Sequence, residues 1–203
     1  MRMYALLLAA GESARMEWPK ALLPWQGGIL LEFQVEQLLA GGMRRIILVV
    51  GHEAEGIRRA APSLPRTTVV LNQDYATGKA SSVRAGMEAI PADADAVLVL
   101  SVDQPRPAAL IQRVRQAHQA ASALITVPAF GGRHGHPTIF ARPLFSEMRD
   151  VTEETRGLRA VRHRHRAETH VVETPTAIPL LDINTPEEYQ AALASFAPAG
   201  GEP

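Results

Sequence analysis

The sequence predicts an α/β fold, a mostly parallel sheet covered by helices on both faces, and three observations lead there. Short apolar runs such as Tyr4 to Ala10, Ile46 to Val50 and Ala96 to Leu100 are unbroken rather than alternating, which marks strands buried on both faces. Segments with apolar residues at helical spacing alternate with those runs, the pattern of right-handed crossovers between parallel strands. Glycine or proline punctuates the boundaries: Gly11, Gly41-Gly42, Gly51, Pro62 and Pro91.

Taken in order, Tyr4 to Ala10 is the first strand and ends at Gly11. It is short for the hydrophobic segment of a signal peptide, and removing it would delete the first strand of a pattern that otherwise works. Leu30 to Leu39 is a helix closed by Gly41-Gly42, and Ile46 to Val50 a strand stopped by Gly51. Glu53 to Ala61, Ala80 to Ile90 and Ala108 to Ala121 read as helices. Thr67 to Leu71, Ala96 to Leu100 and Leu124 to Val127 are the strands between them. The second half is less regular. Thr138 to Phe140, Thr169 to Val172 and Pro179 to Leu181 are expected as short strands. Pro143 to Met148 is a helical turn, and Gly157 to His163 and Pro186 to Ala194 are helices. Residues 1–196 are expected to form one domain, with residues from about 130 to 185 as a lobe for a second substrate, and the Pro/Gly/Ala-rich 197–203 a disordered tail.

Composition narrows the function. At 203 residues the chain can bury roughly 70% of its unfolded surface. Lysine plus arginine equals aspartate plus glutamate, 21 each, so no global field draws it to nucleic acid or an anionic membrane. Any anion site must be local. The absence of cysteine excludes a disulfide framework, a thiolate nucleophile and cysteine-based zinc sites. No apolar run approaches the ~20 residues of a membrane span, so a cytoplasmic protein is the expectation.

The chemistry concentrates where strands end. Gly11 opens a loop that supplies Ser13, Arg15 and Lys20 within a few residues. Backbone N–H groups with fixed cations after a buried first strand are what a polyphosphate requires. The loop is neither a Walker A sequence nor the G-x-G-x-x-G dinucleotide fingerprint. Asp103 closes the fourth strand, where an α/β enzyme places a ligand for Mg²⁺.

Leu8 to Lys20, LAAGESARMEWPK, resembles the signature L-A-A-G-x-S-x-R-M-G-x-x-K of nucleotidyltransferases that make nucleoside-diphosphate sugars and nucleotide-modified cofactors. Glu17 stands in place of the signature glycine. Asn72, Gly78 and Ser82, with Lys79 beside them, match N-x-x-x-x-x-G-x-x-x-S-[LV]. Asp103-Gln104-Pro105 matches the D-x-P element, Gly131 to Pro137 resembles G-x-R-G-H-P, and Gly157-Leu158-Arg159 matches G-x-R. Asp182 to Tyr189 resembles D-I-D-T-P-E-D-[LY], with Asn184 replacing the second aspartate. The chain is thereby similar to the MobA-like NTP transferase family, and most similar to its molybdenum cofactor cytidylyltransferase group.

That resemblance implies a three-layer αβα Rossmann-like nucleotidyltransferase fold with a mostly parallel mixed sheet. It implies transfer of CMP from CTP to the phosphate of molybdopterin, with Mg²⁺ or Mn²⁺ as the ion. Arg15, Lys20 and Asp103 become the catalytic residues, and Leu8, Ala9, Ala10, Gly11, Ser13, Asn72, Gly78 and Ser82 the nucleotide contacts. Gly135, His136, Pro137 and Arg159 fall beside the acceptor. Asp103 is the metal aspartate, and the second ligand is either Asp182 or Asn184. The run Arg162 to Arg166 is a solvated helix face or part of an anion site. Partners are an NTP and a small phosphorylated acceptor, with hand-over to a molybdoenzyme or its chaperone as an open route; nucleic acid and membrane are not expected. A guanylyltransferase or sugar-phosphate nucleotidyltransferase of the same fold stays open, as does a non-catalytic delivery protein.

Overall fold

The computed structural model describes residues 1–12, 16 and 18–196. The strands are β1 (Met3–Ala9), β2 (Pro24–Trp25), β3 (Gly28–Ile29), β4 (Ile46–Val50), β5 (Thr67–Leu71), β6 (Ala96–Ser101), β7 (Ile125–Phe130), β8 (Arg133–His134), β9 (Thr138–Ala141) and β10 (Thr169–Glu173). The helices are α1 (Leu30–Ala40), α2 (Ala54–Ala60), α3 (Lys79–Glu88), α4 (Ala108–Ala121), α5 (Phe145–Arg149), α6 (Leu158–Arg164) and α7 (Pro186–Ser195).

An eight-stranded sheet runs in the order β10-β7-β9-β6-β1-β4-β5, with β8 paired to β7. β1 lies parallel between β4 and β6, which explains its unbroken apolar sequence. Its odd residues Met3, Ala5 and Leu7 join a core with α1, α2 and α4. Its even residues Tyr4, Leu6 and Leu8 join a second core with α3, α5 and α6 on the opposite face. This is the expected three-layer arrangement around a mixed, mostly parallel sheet. A third apolar cluster joins Trp25 and Phe33 to Ile183 and Ala192, and so fastens α7 beside the first loop.

β9 runs antiparallel to both β6 and β7. The chain leaves β7 at Phe130 and reverses through Gly131 and Gly132, whose φ of 57° and 74° suit glycine. It then returns between β7 and β6, so 131–137 arrives at the same sheet edge as the carboxyl ends of β1 and β6. The β2–β3 hairpin and β8 had no sequence signal, each being two residues long.

One expected element is corrected. Pro179 to Leu181 is not a strand; Ile178–Leu180 forms a 3-10 turn with proline in its first turn. The Pro179 carbonyl accepts from the His136 N–H and from the Arg106 side chain, so it joins loops rather than a ladder. The expected tail, 197–203, lies outside the described residues. Among the described residues no helix is long and apolar enough to cross a membrane.

Candidate active site

The carboxyl ends of β1 and β6 bring three distant segments to one point. Lys20 begins a 3-10 turn (Lys20–Leu22) after Pro19. Its Nζ lies 3.0 Å from Asp103 Oδ2 and donates to Asn184 Oδ1 at 2.9 Å. Asp103 follows β6 in a turn held from α1, where the buried Gln34 donates its Nε2 to Gln104 O at 2.7 Å and to the Ser101 and Val102 carbonyls. The Ile183 N–H donates to Asp103 O at 2.8 Å, which sets the third segment against the second.

On one side of this point is a cavity of about 270 Å³ lined by Leu8, Ala9, Ala10, Gly11, Gly78 and Ser82, and by Lys20, Lys79 and Asp103. These are residues the sequence assigns to the nucleotide and the catalytic set. Asn72 does not line it. At 4% exposure its Nδ2 donates to Ser81 and Ser82 Oγ at 2.8 and 3.0 Å, and its Oδ1 accepts from the Asp74 N–H. Asn72 therefore fixes the start of α3 and acts on the cavity through Ser82. Ser13, Arg15 and the departure at Glu17 lie outside the described residues.

On the other side is a cavity of about 600 Å³ lined by His136, Thr138, Arg159, Arg162, Asp182 and Lys79, with Asp103 shared between the two. Lys79 stands at the divide, its Nζ donating to Ser101 Oγ at 2.6 Å. Burial, with Lys79, Arg106, Arg162 and Arg159 around it, pushes the His136 imidazole down to about 3, so it is neutral at physiological pH. Its Nδ1 and the Thr138 Oγ1 are buried without a partner. Gly135 and Pro137 do not line this cavity; they shape the loop behind His136. A Cβ at Gly135 would overlap the carbonyl of Pro179.

The basic run divides by helical phase. Arg159 and Arg162, one turn apart on α6, both face the larger cavity. Burial lowers the Arg162 pKa, and Arg159 adds to the effect. Arg164 and His165 instead pair with Glu147 at 2.6 and 2.7 Å. Arg162 is thus placed at the cavity, while Arg164 and His165 are tied to α5.

Sequence reasoning missed Arg106. It is fully buried and bonded to four backbone carbonyls from three segments. Burial pushes its pKa down to about 10, against the pull of Asp182 and Asp103, and it stays charged at neutral pH. Its place directly after Asp-Gln-Pro was the available signal, but nothing in a hydropathy pattern separates a buried arginine from a solvated one.

The donor set bears on a metal. Asp103 Oδ2 and Asn184 Oδ1 converge on one cation, the Lys20 ammonium, and are hard oxygen donors of the kind Mg²⁺ or Mn²⁺ takes. Asp182 points elsewhere: its Oδ1 accepts from Gln104 Nε2 at 3.0 Å and lies 3.8 Å from the Arg106 guanidinium. Burial raises its pKa, against the Gln104 bond. Among the described residues no cluster of three or more His, Cys, Asp or Glu could hold a metal unaided. A divalent ion at Asp103 and Asn184 fits only if substrate oxygens complete its shell, the usual habit of Mg²⁺.

Residues 5–169 match the model of the MobA-like NTP transferase domain. The chain belongs to that family. Nucleotidyl transfer is the chemistry that membership brings. A molybdenum cofactor cytidylyltransferase of Escherichia coli (strain K12) is 26% identical over 194 residues, spanning 94% of this chain and 95% of that protein. A nicotine blue oxidoreductase of Paenarthrobacter nicotinovorans is 39% identical over 101 residues, about half of either chain. The crystal structure of Rv0371c from Mycobacterium tuberculosis H37Rv superposes with a TM-score of 0.83 at 26% identity, covering 95% of this chain and 98% of that one. A manganese complex of Rv0371c superposes at 0.77 with 27% identity, covering 96% and 100%. The resemblance read from the motifs and the similarity over whole chains therefore agree on the family.

Proposed function

We propose that this nucleotidyltransferase transfers CMP from CTP to the phosphate of molybdopterin, releasing pyrophosphate in the cytoplasm. One observation carries the reading. Lys20, Asp103 and Asn184 meet at a point between two cavities, the smaller rimmed by the Gly11 loop and α3, the larger by arginines. That is a place for two substrates to share one centre of charge.

The triphosphate lies in the smaller cavity, against the Leu8–Gly11 backbone, with Gly78 and Ser82 beside the nucleoside. The phosphorylated acceptor lies in the larger one. Its phosphate is held by Arg159, next to the neutral His136, whose loop Gly135 and Pro137 shape. An acceptor phosphate oxygen attacks the α-phosphorus of CTP in line. A new P–O–P bond forms as the bond from the α-phosphorus to the bridging oxygen breaks, and pyrophosphate departs with the electron pair. No side chain becomes covalently attached, in keeping with a chain that has no cysteine. The residues work by positioning and by neutralising charge. Lys20, with Arg15 from the same loop, offsets negative charge on the triphosphate and on the transition state. Bound by Asp103 and Asn184, Mg²⁺ or Mn²⁺ would supply further charge neutralisation between the phosphates.

The test is pyrophosphate release with Mg²⁺ and each of the four NTPs, with and without molybdopterin. Release confined to CTP plus molybdopterin is expected. Release with GTP instead moves the assignment to guanylyl transfer, and binding of nucleotide without release of pyrophosphate overturns the reaction.

A further inference from the structure

We propose that Arg106 is a positioning residue that sets the loop bearing His136 and the loop bearing Asp182 and Asn184 in fixed register with Asp103. Its guanidinium is fully buried and donates its hydrogen bonds to backbone carbonyls, with the Asp182 carboxylate 3.8 Å away. Nε donates to His136 O at 2.9 Å. One terminal nitrogen donates to Pro105 O at 2.8 Å and Leu181 O at 2.7 Å, and the other to Pro179 O at 2.9 Å. Three segments more than thirty residues apart in the chain thus end on one planar group. Each carries a group of the candidate site: Asp103 two residues before Pro105, His136 itself, and Asp182 next to Leu181.

The geometry separates this role from general support of the fold. A planar fork with five N–H donors can serve carbonyls in several directions at once, which a lysine ammonium on a flexible stem does not reproduce. None of the four carbonyls belongs to a strand of the main sheet. They belong to loops at its carboxyl edge, so losing Arg106 should loosen those loops and spare the ladders. Among the described residues the Ile183 N–H bond to Asp103 O, the His136 N–H bond to Pro179 O and the Gln104 side-chain bond to Asp182 also join these segments, and Arg106 is the one side chain that reaches both of the other two from the Asp103 turn.

The consequence for catalysis rests on the proposed acceptor cavity, but the structural consequence does not. Arg106→Lys and Arg106→Met are compared with the unaltered chain by hydrogen–deuterium exchange and by steady-state kinetics with CTP, Mg²⁺ and molybdopterin. Exchange is expected to rise about tenfold or more in 133–138 and 178–184 together, while β4 and β5 hold their protection. The KM for CTP should stay within about twofold and kcat fall about tenfold or more, and methylguanidinium should restore part of the activity of Arg106→Gly. Loosening of one loop alone, loosening that spreads into β4 and β5, or failure of all three variants to fold would overturn the proposal. So would loosened loops with unchanged turnover. If the unaltered chain turns over none of these substrates, the proposed reaction fails while the exchange pattern still decides the role of Arg106.

Discussion

Lys20 donates from Nζ to the amide oxygen of Asn184 at 2.9 Å, and the same nitrogen lies 3.0 Å from the Asp103 carboxylate. One ammonium thus faces one negative charge and one neutral oxygen. The D-I-D motif would place a second carboxylate at 184, so the asparagine changes the charge at this point by one unit. It leaves the geometry of an oxygen donor intact.

The first prediction follows from that charge. Asn184→Asp should tighten Mn²⁺ in the presence of CTP by about tenfold, and Asn184→Ala should weaken it by a similar factor. Isothermal titration measures both. Equal affinities for all three forms would remove residue 184 from the ion's shell and leave Asp182 as the second ligand.

Lys20 and Asp103 are predicted to matter to turnover rather than to folding. Either Lys20→Met or Asp103→Asn should lower kcat/KM about 100-fold or more, which is about 2.7 kcal/mol of transition-state stabilisation. Their pair is only part-exposed, with side-chain exposures of 14% and 24%. Near-native rates for either variant in the pyrophosphate assay would displace both from the mechanism.

Much of this was legible beforehand, and the reason is local. The buried strands carry their own signature because both faces of β1, β4 and β6 are covered, so Tyr4 to Ala10 could be read without any neighbour. Lys20 and Asp103 were legible through motif spacing. Pro179 was not, since its turn exists to offer a carbonyl to Arg106 and His136, a purpose set by residues far away in sequence. Asn72 was found but its geometry was not. Its amide is spent on Ser81 and Ser82, and no spacing rule tells a buried anchor from a ligand contact.

Stability should depend on pH through His118. On α4 this buried residue has its Nδ1 2.8 Å from Thr126 Oγ1, and its Nε2 has no partner. Burial, aided by His170, pushes its pKa down to about 4 from 6.5. Between those two values the unfolded chain binds the proton and the folded chain does not, so stability falls as pH falls from 6.5 toward 4. The slope is about 1.4 kcal/mol per pH unit for one proton. His118→Gln should flatten denaturant-derived stability over that window by about that slope, measured from pH 7 to 4.5. An unchanged pH profile would mean that His118 takes up its proton as readily in the fold as in the unfolded chain.

Gly135→Ala tests the loop behind His136. The added methyl meets a backbone carbonyl, that of Pro179, which cannot turn aside as a side-chain tip would. The loop must shift, at a cost of about 1–3 kcal/mol in stability. CTP binding should survive, because the smaller cavity does not include this loop. A variant with native stability and native turnover would show that the loop has room to spare.

The last prediction separates the two substrates. Arg159 and Arg162 line the larger cavity and not the smaller one, whereas Lys79 lines both. If the acceptor's phosphate sits against the α6 arginines, Arg159→Gln and Arg162→Gln should each raise the KM for molybdopterin about tenfold and leave the KM for CTP within about twofold. Lys79→Gln should raise both. The two arginines share one helix face, and the Arg162 pKa is lowered by burial and by the like charge of Arg159. Their double variant should therefore lose less than the sum of the single losses, because removing one relieves the other. Steady-state kinetics with each substrate varied in turn makes the measurement. A rise in the KM for CTP from either arginine would reverse the assignment of the cavities, and with it the direction in which the acceptor approaches the α-phosphorus.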